Sequence, residues 1–357
     1  MMTTKRVKIV TGLKCNIQCV FCYYRDNLKA PNRTFDDIRL DLLYAQKHGI
    51  QEIDFSGGEP TLHPDLSKLI SEAKSLGMRK VSIITNGWRL ADRQYLQTLK
   101  VAGLDEVLFS VHGPDSDTHD SITRVSGSFQ RISEALTNAA EEGIMIRTNT
   151  VVNGLNYKHL PNIASFVLLF HPVQVNFITI NDWCFAKNLV DTLMVPYSEM
   201  SLQLKKACDL LVNRVNTVNV RYIPFCFMKD YERFVCNHKQ SVFDPYEWVP
   251  RVRARLEVQN SFLRFLAIVL YGFIFGGTFK KALRISPSEL ADQSIIEALR
   301  KWNYTKQQGC TDCRYEKLCD GVENTYANKY GLRELLPEAG EKIVDPNFFR
   351  NEYLAKI

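Results

Sequence analysis

Two hydrophobic periodicities alternate along the first 215 or so residues of the chain. Short runs rich in Val, Ile and Phe, typical of strands, lie at residues 7–11, 52–55, 80–84, 106–111, 145–151 and 174–178. Longer amphipathic stretches, typical of helices, lie at residues 35–48, 66–76, 92–101, 129–142, 158–169 and 198–213. Short strands joined by helical crossovers form parallel sheets. The pattern therefore predicts an α/β fold with six β/α units, a partial (β/α)6 TIM-like barrel.

The pattern changes character in the second half of the chain. A further strand is predicted at 218–223, and an unusual apolar insertion follows at about 258–280, with no charge from 265 to 279. We divide the chain into a barrel at 1–217 and a C-terminal domain at 218–357. The insertion is too short to cross a bilayer comfortably, and basic residues flank it on both sides. It is either a buried element or an in-plane anchor, and the anchor would add peripheral membrane contact.

Composition narrows the class of protein. Ten cysteines in 357 residues, without an apolar signal sequence at the start, indicate a reducing, cytoplasmic setting in which cysteines bind metal. The net charge of +6 is mild for this length, and no nucleic-acid partner is expected.

Three cysteines follow the first predicted strand. Cys15, Cys19 and Cys22 are spaced C-x3-C-x2-C, and Phe21 directly precedes the third. Three thiolates can bind three irons of a 4Fe–4S cluster and leave the fourth iron open for a chelating molecule. A zinc site is the alternative, but zinc usually takes four ligands as paired C-x2-C units, and no second pair lies nearby.

Further motifs follow the next three predicted strands. Gly57 and Gly58 let the backbone approach a ligand, and Pro60 holds Glu59 extended so that its carboxylate can accept from an ammonium group. Asn86 lies in a Thr-Asn-Gly turn. After strand four come Ser110, a candidate for hydroxyl or carboxylate contacts, and Arg124, whose planar fork suits a carboxylate. His119 and Asp120, between them, are interpreted as a helix-cap or loop network.

Together these motifs resemble the radical S-adenosylmethionine (radical SAM) family, with its cysteine triplet, its "GGEP" and "TNG" loops and its "S-x-D-G" segment. His112 stands where that segment usually has Asp. The resemblance implies that SAM chelates the open iron and is cleaved to methionine and a 5′-deoxyadenosyl radical, which abstracts hydrogen from a substrate. It further implies that Phe21 borders the adenine and that an electron donor such as flavodoxin or ferredoxin serves the cluster.

A second cysteine group lies near the C-terminus. Cys310, Cys313 and Cys319 are spaced C-x2-C-x5-C and are followed by Asp-Gly, which resembles the auxiliary-cluster region of SPASM and Twitch extensions. Full SPASM domains have further cysteines beyond this point, but this chain has none, so one auxiliary 4Fe–4S cluster is expected. We expect Cys226 to be its fourth ligand, with Cys236 in reserve. A zinc knuckle is the alternative.

The sequence leaves the substrate open. A sugar, nucleotide or lipid-linked small molecule is favoured over a ribosomal peptide, because only about 14 residues precede the first cysteine, too few for a leader-peptide domain. A non-catalytic iron–sulfur carrier is the alternative from another class, although a carrier needs no SAM loop. Three polar residues of strand five, Arg147, Asn149 and Asn153, either line the substrate site or form structural hydrogen bonds. Residues 181–184 are candidates for substrate contact.

Overall fold

Seven parallel strands form the central sheet of this protein. The computed structural model describes residues 6–22, 24, 28–180, 189–237, 239–240 and 303–351. The strands are β1 (Arg6–Val10), β2 (Glu52–Ser56), β3 (Lys80–Thr85), β4 (Glu106–Ser110), β5 (Met145–Val152), β6 (Gln174–Thr179) and β7 (Thr217–Arg221). Their order in the sheet is their order in the chain, with β1 and β7 at the two edges. The predicted partial barrel is therefore confirmed.

Helices connect the strands and cover one face of the sheet. They are α1 (Phe35–Lys47), α2 (Leu66–Ser75), α3 (Arg93–Val101), α4 (Ser116–Thr123), α5 (Ser128–Glu141), α6 (Leu160–Leu168), α7 (Val190–Leu193) and α8 (Tyr197–Leu211). Each of the six predicted strands and six predicted helices is found within about two residues of its expected bounds. The predicted strand at 218–223 is β7, the seventh strand of the same sheet rather than a part of the C-terminal region. The short helix α4 lies in a stretch for which no helix was predicted.

The two faces of each strand differ in polarity, because successive side chains point to opposite sides. Apolar residues of alternate positions, such as Ile53 and Phe55 of β2, are fully buried in one hydrophobic core with the helices. The other face carries polar side chains, among them Asp54, Ser82, Asn176 and Asn219, and it lines the inside of the half-barrel.

Charged side chains neutralise each other inside the amino-terminal end of the barrel. Arg6 donates to Asp54 (2.9 Å) and Glu106 (2.5 Å), and Arg147 donates to Asp54 (2.6 Å) and also pairs with Glu106. Burial alone would raise the pKa of Asp54, but the guanidinium groups of Arg147 and Arg6 outweigh it and lower this pKa to about 2. Arg147 therefore has the structural role that the sequence left as one of two alternatives.

The part of the C-terminal region that the structure describes packs beside α8 and β7. It contains β8 (Tyr304–Thr305), β9 (Val322–Glu323), which pair antiparallel, and α9 (Asn324–Tyr330). Tyr326 of α9 stacks on Tyr197 with ring centroids 4.3 Å apart, and its hydroxyl accepts a hydrogen bond from the Tyr197 amide (2.7 Å). Arg350 is buried and donates to the Asn219 side chain of β7 (2.8 Å). These contacts attach the C-terminal region to the barrel.

Some expectations fall outside the described residues, namely the substrate contacts at 181–184 and the apolar insertion at about 258–280. Among the helices that the structure does describe, none is both long enough and apolar enough to cross a membrane.

Candidate functional site

The loop that carries the first three cysteines follows β1 at the carboxyl edge of the sheet. The Cys22 amide donates to the Cys19 carbonyl (3.0 Å) and closes a tight turn between these two cysteines. Two more amides, from Gln18 and Val20, donate to carbonyl oxygens of Thr123 (3.0 Å) and Ile122 (2.9 Å) in α4. The loop is therefore held by α4, and Cys15, Cys19 and Cys22 remain half-buried.

The loop after β2 docks directly onto the cysteine loop. The Gly58 amide donates to the Gly12 carbonyl (2.9 Å), and the Glu59 amide donates to the Lys14 carbonyl (2.8 Å). A Cβ atom on Gly57 would lie 2.1 Å from the Gly12 oxygen, and one on Gly58 would lie 2.2 Å from the Lys14 oxygen. Only glycine permits such an approach, so the paired glycines are needed for contact between the two loops.

Glu59 is buried, and its carboxylate accepts hydrogen bonds from neighbouring residues of two loops. It accepts hydrogen bonds from the Thr61 hydroxyl (2.6 Å), the Thr85 hydroxyl (2.7 Å) and the Asn86 amide (2.8 Å). Burial raises the pKa of Glu59, and these donors act in the opposite direction. The carboxylate thus joins the loops after β2 and β3, and its predicted contact with an ammonium group stays a prediction.

Asn86 connects the loop after β3 to the cysteine loop. Its side-chain nitrogen donates to the Asn16 side chain (2.8 Å) and lies 3.9 Å from the Cys15 sulfur. Its side-chain oxygen accepts from the Trp88 amide, which fixes its orientation (3.0 Å). The structure therefore brings Asn86 beside the cysteine triplet, and its contact with the cofactor stays a prediction.

Burial affects the chemistry of Cys15 strongly. Burial, followed by the nearby Glu59 carboxylate, raises the pKa of the Cys15 thiol to about 12. A thiolate at this position therefore requires a positive partner, and a bound iron supplies one because a metal ion deprotonates the thiol that it ligates.

The residues after β4 divide into two groups. Asp120 of α4 accepts from the Gly127 amide (2.7 Å), the Ser128 hydroxyl (2.7 Å) and the Phe129 amide (2.8 Å), so it caps α5 as interpreted from the sequence. Ser110 ends β4 half-buried, and Arg124 ends α4 in the left-handed region (φ 58°) with an exposed side chain. Both remain available for the cofactor contacts that the sequence predicts.

The sequence did not reveal what His112 contacts. Its ring lies edge-on to Phe21, with centroids 4.9 Å apart and an interplanar angle of 83°. The departure from the usual Asp was visible in the sequence, but the partner was not, because Phe21 and His112 are about 90 residues apart and only the fold brings them together.

The second cysteine group surrounds one small pocket. Cys226, Cys310, Cys313 and Cys319 all line it, together with Lys306, Tyr315, Glu316, Gly321, Leu335 and Pro337. Cys226 follows β7, whereas the other three lie around the β8–β9 hairpin. The structure thus gathers the four thiols that the sequence predicts to share an auxiliary cluster. Cys236 lies instead in the segment that bridges to β7 and is absent from the lining of this pocket.

Backbone amides point at two of these sulfurs. The Gly321 amide donates to Cys319 and the Glu338 amide donates to Cys313, both at 3.3 Å. Burial, together with a smaller effect of the neighbouring cysteines, raises the pKa of Cys226 to about 12. Amides directed at sulfur stabilise thiolates in iron–sulfur sites, so this pocket has the donor set of a cluster with four cysteine ligands.

Single-ion sites have a different geometry. Within the ranges that the structure describes, no three His, Cys, Asp or Glu side chains are close enough together to hold one metal ion. A 4Fe–4S cluster binds its cysteines at different irons, so its thiols do not have to meet at one point.

The part of the chain that carries the first of these sites resembles known proteins. Residues 9–167 match the family model described as the Radical SAM superfamily. A protein of Saccharolobus solfataricus named probable GTP 3',8-cyclase is 37% identical over 155 residues, which are 42% of this chain and 48% of that protein. A Saccharolobus islandicus protein of the same name is 36% identical over 167 residues, 45% of this chain and 51% of its own length. The chain therefore spans about half the length of the curated relatives it matches.

Solved structures share the fold over more of the chain. Streptococcus suis SuiB bound to S-adenosylmethionine covers 96% of this chain, with 77% of its own chain aligned, a TM-score of 0.56 and 15% identity. The same protein bound to its precursor peptide SuiA has a TM-score of 0.59 at 15% identity, covering 96% of this chain and 76% of SuiB. At such identities the likeness concerns the fold alone.

Proposed function

We propose that the chain cleaves S-adenosylmethionine reductively to start a radical reaction, and the match of residues 9–167 to the Radical SAM superfamily supports this. Membership of this superfamily implies a 4Fe–4S cluster and SAM as cofactors. When bound, they supply methionine and a 5′-deoxyadenosyl radical, which takes a hydrogen atom from the substrate and becomes 5′-deoxyadenosine. The protein's part is to orient both molecules and to exclude water.

One observation carries this proposal, namely the convergence of the loops after β2 and β3 on the loop that holds the cysteine triplet. The Gly57–Gly58 loop contacts the cysteine loop through backbone hydrogen bonds, and Asn86 lies next to Cys15. Cys15, Cys19 and Cys22 would hold the cluster, and the open iron would take SAM. Gly57, Gly58, Glu59 and Pro60 would face its amino group, Phe21 its adenine, and Ser110 and Arg124 its ribose or carboxylate. An iron–sulfur carrier has no need of these additional loops.

Cleavage of SAM tests the proposal directly. Anaerobically reconstituted protein is mixed with SAM and dithionite, and 5′-deoxyadenosine is quantified by chromatography. We expect multiple turnovers or a stoichiometric burst from the wild type and none from the protein in which Cys15, Cys19 and Cys22 are all replaced by Ala. Cys236→Ala is the matched control because Cys236 lies outside both cysteine groups. Full cleavage by the triple variant would refute the assignment, and no cleavage by an iron-loaded wild type would favour the carrier.

A nucleotide is the substrate class that we propose within the small molecules considered. The support comes from the relatives named probable GTP 3',8-cyclase, which are 37% identical to this chain over 155 residues and 36% identical over 167 residues. A ribosomal peptide is the alternative, and the fold likeness to SuiB does not favour it, because at 15% identity the likeness concerns the fold alone.

Isotope transfer separates these substrate classes. Nucleoside triphosphates deuterated on the ribose are incubated with SAM, dithionite and the enzyme, and 5′-deoxyadenosine is analysed by mass spectrometry. Deuterium in the 5′-deoxyadenosine would identify a nucleotide as the hydrogen donor. If GTP, ATP, CTP and UTP all leave both the yield and the isotope content unchanged, the nucleotide proposal is wrong.

We further propose that the four-cysteine pocket holds an auxiliary 4Fe–4S cluster. Cys226, Cys310, Cys313 and Cys319 line one pocket, and amides point at two of the sulfurs. Four thiolate ligands would leave no iron open, so this cluster would transfer electrons rather than bind SAM. A reductant such as flavodoxin or ferredoxin would supply those electrons.

A further inference from the structure

His112 stands where the segment that this chain resembles usually has Asp, and the structure shows what the His112 ring contacts. It lies just beyond β4 and is 2% exposed. Its ring meets the ring of Phe21 edge-on, at 4.9 Å between centroids. Phe21 precedes Cys22 in the cysteine loop, so His112 is the link between the end of β4 and that loop.

Several hydrogen bonds hold His112 in place. Its amide donates to Nδ1 of His119 (3.2 Å), its carbonyl accepts from the Asn156 side chain (2.9 Å), and its Nδ1 accepts from the Val151 amide (3.4 Å). The His119 ring is stacked on the other side, at 5.8 Å. The ring therefore cannot swing away from Phe21 without breaking contacts to β5 and α4.

The bonding also defines the chemical form of the ring. Since Nδ1 accepts a hydrogen bond from a backbone amide, it carries no proton, and the ring is the neutral tautomer with its proton on Nε2. Burial and, to a lesser degree, the neighbouring His119 lower the pKa of His112, which agrees with a neutral ring. An uncharged ring can pack against an aromatic edge, whereas the Asp that is usual here would place a carboxylate against Phe21.

We infer that His112 is a positioning residue for the cofactor: its ring holds Phe21, and with it the Cys19–Cys22 turn, in the orientation that binds SAM. The inference rests on the proposed function, because it assumes that Phe21 borders the adenine. An edge-to-face pair has a preferred geometry, and its contribution corresponds to about a two- to tenfold change in an equilibrium constant.

Two substitutions separate the ring from the volume that it fills. His112→Phe keeps an aromatic ring at this position, and His112→Leu keeps an apolar side chain without one. We expect SAM affinity, measured anaerobically from the change in the cluster's electron paramagnetic resonance signal, to stay within about twofold of wild type in His112→Phe. In His112→Leu we expect it to fall by about two- to tenfold. The KM for SAM should rise in parallel, while kcat at saturating SAM should change less.

Iron content distinguishes positioning from general damage to the fold. Both variants should retain the wild-type iron content, and a variant that loses iron in proportion to its activity would show a merely structural role and overturn the inference. Equal SAM affinities in the two variants would also overturn it, since the ring would then not matter. If the wild type holds its cluster but neither binds nor cleaves SAM, the proposed function fails instead.

Discussion

Arg124 shows how a single residue can be positioned for a charged ligand. It ends α4 with φ at 58°, in the left-handed region that a non-glycine residue adopts only at some cost. Its side chain is exposed and forms no ion pair with another described residue. The Arg124 amide donates to the Asp120 carbonyl (2.7 Å), so this conformation closes α4, and the exposed guanidinium remains the candidate for the SAM carboxylate.

Replacement of Arg124 tests that role. We expect Arg124→Ala to weaken SAM binding by about ten- to a hundredfold, because a charge-assisted hydrogen bond to a carboxylate contributes roughly 1.5–3 kcal/mol. The change is measured by anaerobic calorimetric titration of the cluster-loaded protein with SAM, without added reductant. Arg131→Ala is the control, since Arg131 is an exposed arginine paired with Glu134 (3.5 Å). Equal affinities for the two variants would contradict the assignment.

Contacts between distant residues mark the limit of what the sequence could predict at this scale. The network around Asp120 follows from local spacing, since its partners lie within nine residues, and it was foreseen. The carboxylate of Glu59 could not be placed in the same way. Two of its partners, Thr85 and Asn86, belong to the next β/α unit, and its role in connecting two loops could be seen only in the fold.

Among the elements, the docking of the loop after β2 onto the cysteine loop sets the strictest steric requirement. We expect Gly58→Ala to abolish SAM cleavage, because its Cβ would lie 2.2 Å from the Lys14 carbonyl oxygen and force the loops apart. The 5′-deoxyadenosine assay measures the loss. Gly77→Ala is the control: Gly77 has a positive φ of 85°, yet no atom lies within 4 Å of the added Cβ. Cleavage by Gly58→Ala at the wild-type rate would show that the contact is dispensable.

The charge network inside the barrel leads to a prediction about stability. The pKa of Asp54 is lowered to about 2, so its contribution to the free energy of unfolding is present above the ordinary carboxyl pKa of about 4 and is lost as the pH falls toward 2. We expect Asp54→Asn to cost about 3–5 kcal/mol at neutral pH, since it removes a buried anion shared by Arg6 and Arg147 and leaves Glu106 alone to pair with both of them. Denaturant unfolding checks this. Asp65→Asn, which breaks a surface pair with Lys68, should change the free energy by less than about 1 kcal/mol.

Periodicity predicted the elements of the barrel well because each strand is short and apolar and each helix is amphipathic. It missed α4, whose sequence Ser-Asp-Thr-His-Asp-Ser-Ile-Thr is polar and contains weak helix formers, so no apolar face is visible. It predicts six β/α units because the strand predicted at 218–223 was assigned to the C-terminal domain. Hydrogen bonding to β6 instead places it in the sheet.

At the scale of the whole molecule, Phe349 and Arg350 link the surroundings of the four-cysteine pocket to the inside of the barrel. Phe349 packs against Phe225 and Tyr315, the neighbours of the four-cysteine pocket, with ring centroids about 6 Å apart. The next residue, Arg350, reaches the side chain of Asn219 inside the barrel. Nothing in the local sequence indicates this role, because it depends on contacts more than 100 residues apart.

The choice between Cys226 and Cys236 decides how the two halves of the molecule share a cluster. Cys226 lies directly after β7 and lines the pocket with Cys310, Cys313 and Cys319, whereas Cys236 does not. Reconstituted wild type should therefore hold about eight irons per chain, from two four-iron clusters. Cys226→Ala should lower that number toward about four and leave SAM cleavage by the first cluster measurable.

Metal analysis of two matched variants tests this arrangement. Cys236→Ala should keep about eight irons, because Cys236 does not line the pocket and is not expected to bind the cluster. The variant lacking Cys15, Cys19 and Cys22 should keep about four, held by the C-terminal group. Loss of iron from Cys236→Ala but not from Cys226→Ala would reverse the assignment. If the wild type instead held about four irons together with bound zinc, the four-cysteine pocket would be a zinc site. The cluster in the barrel would then be the one redox centre of the protein.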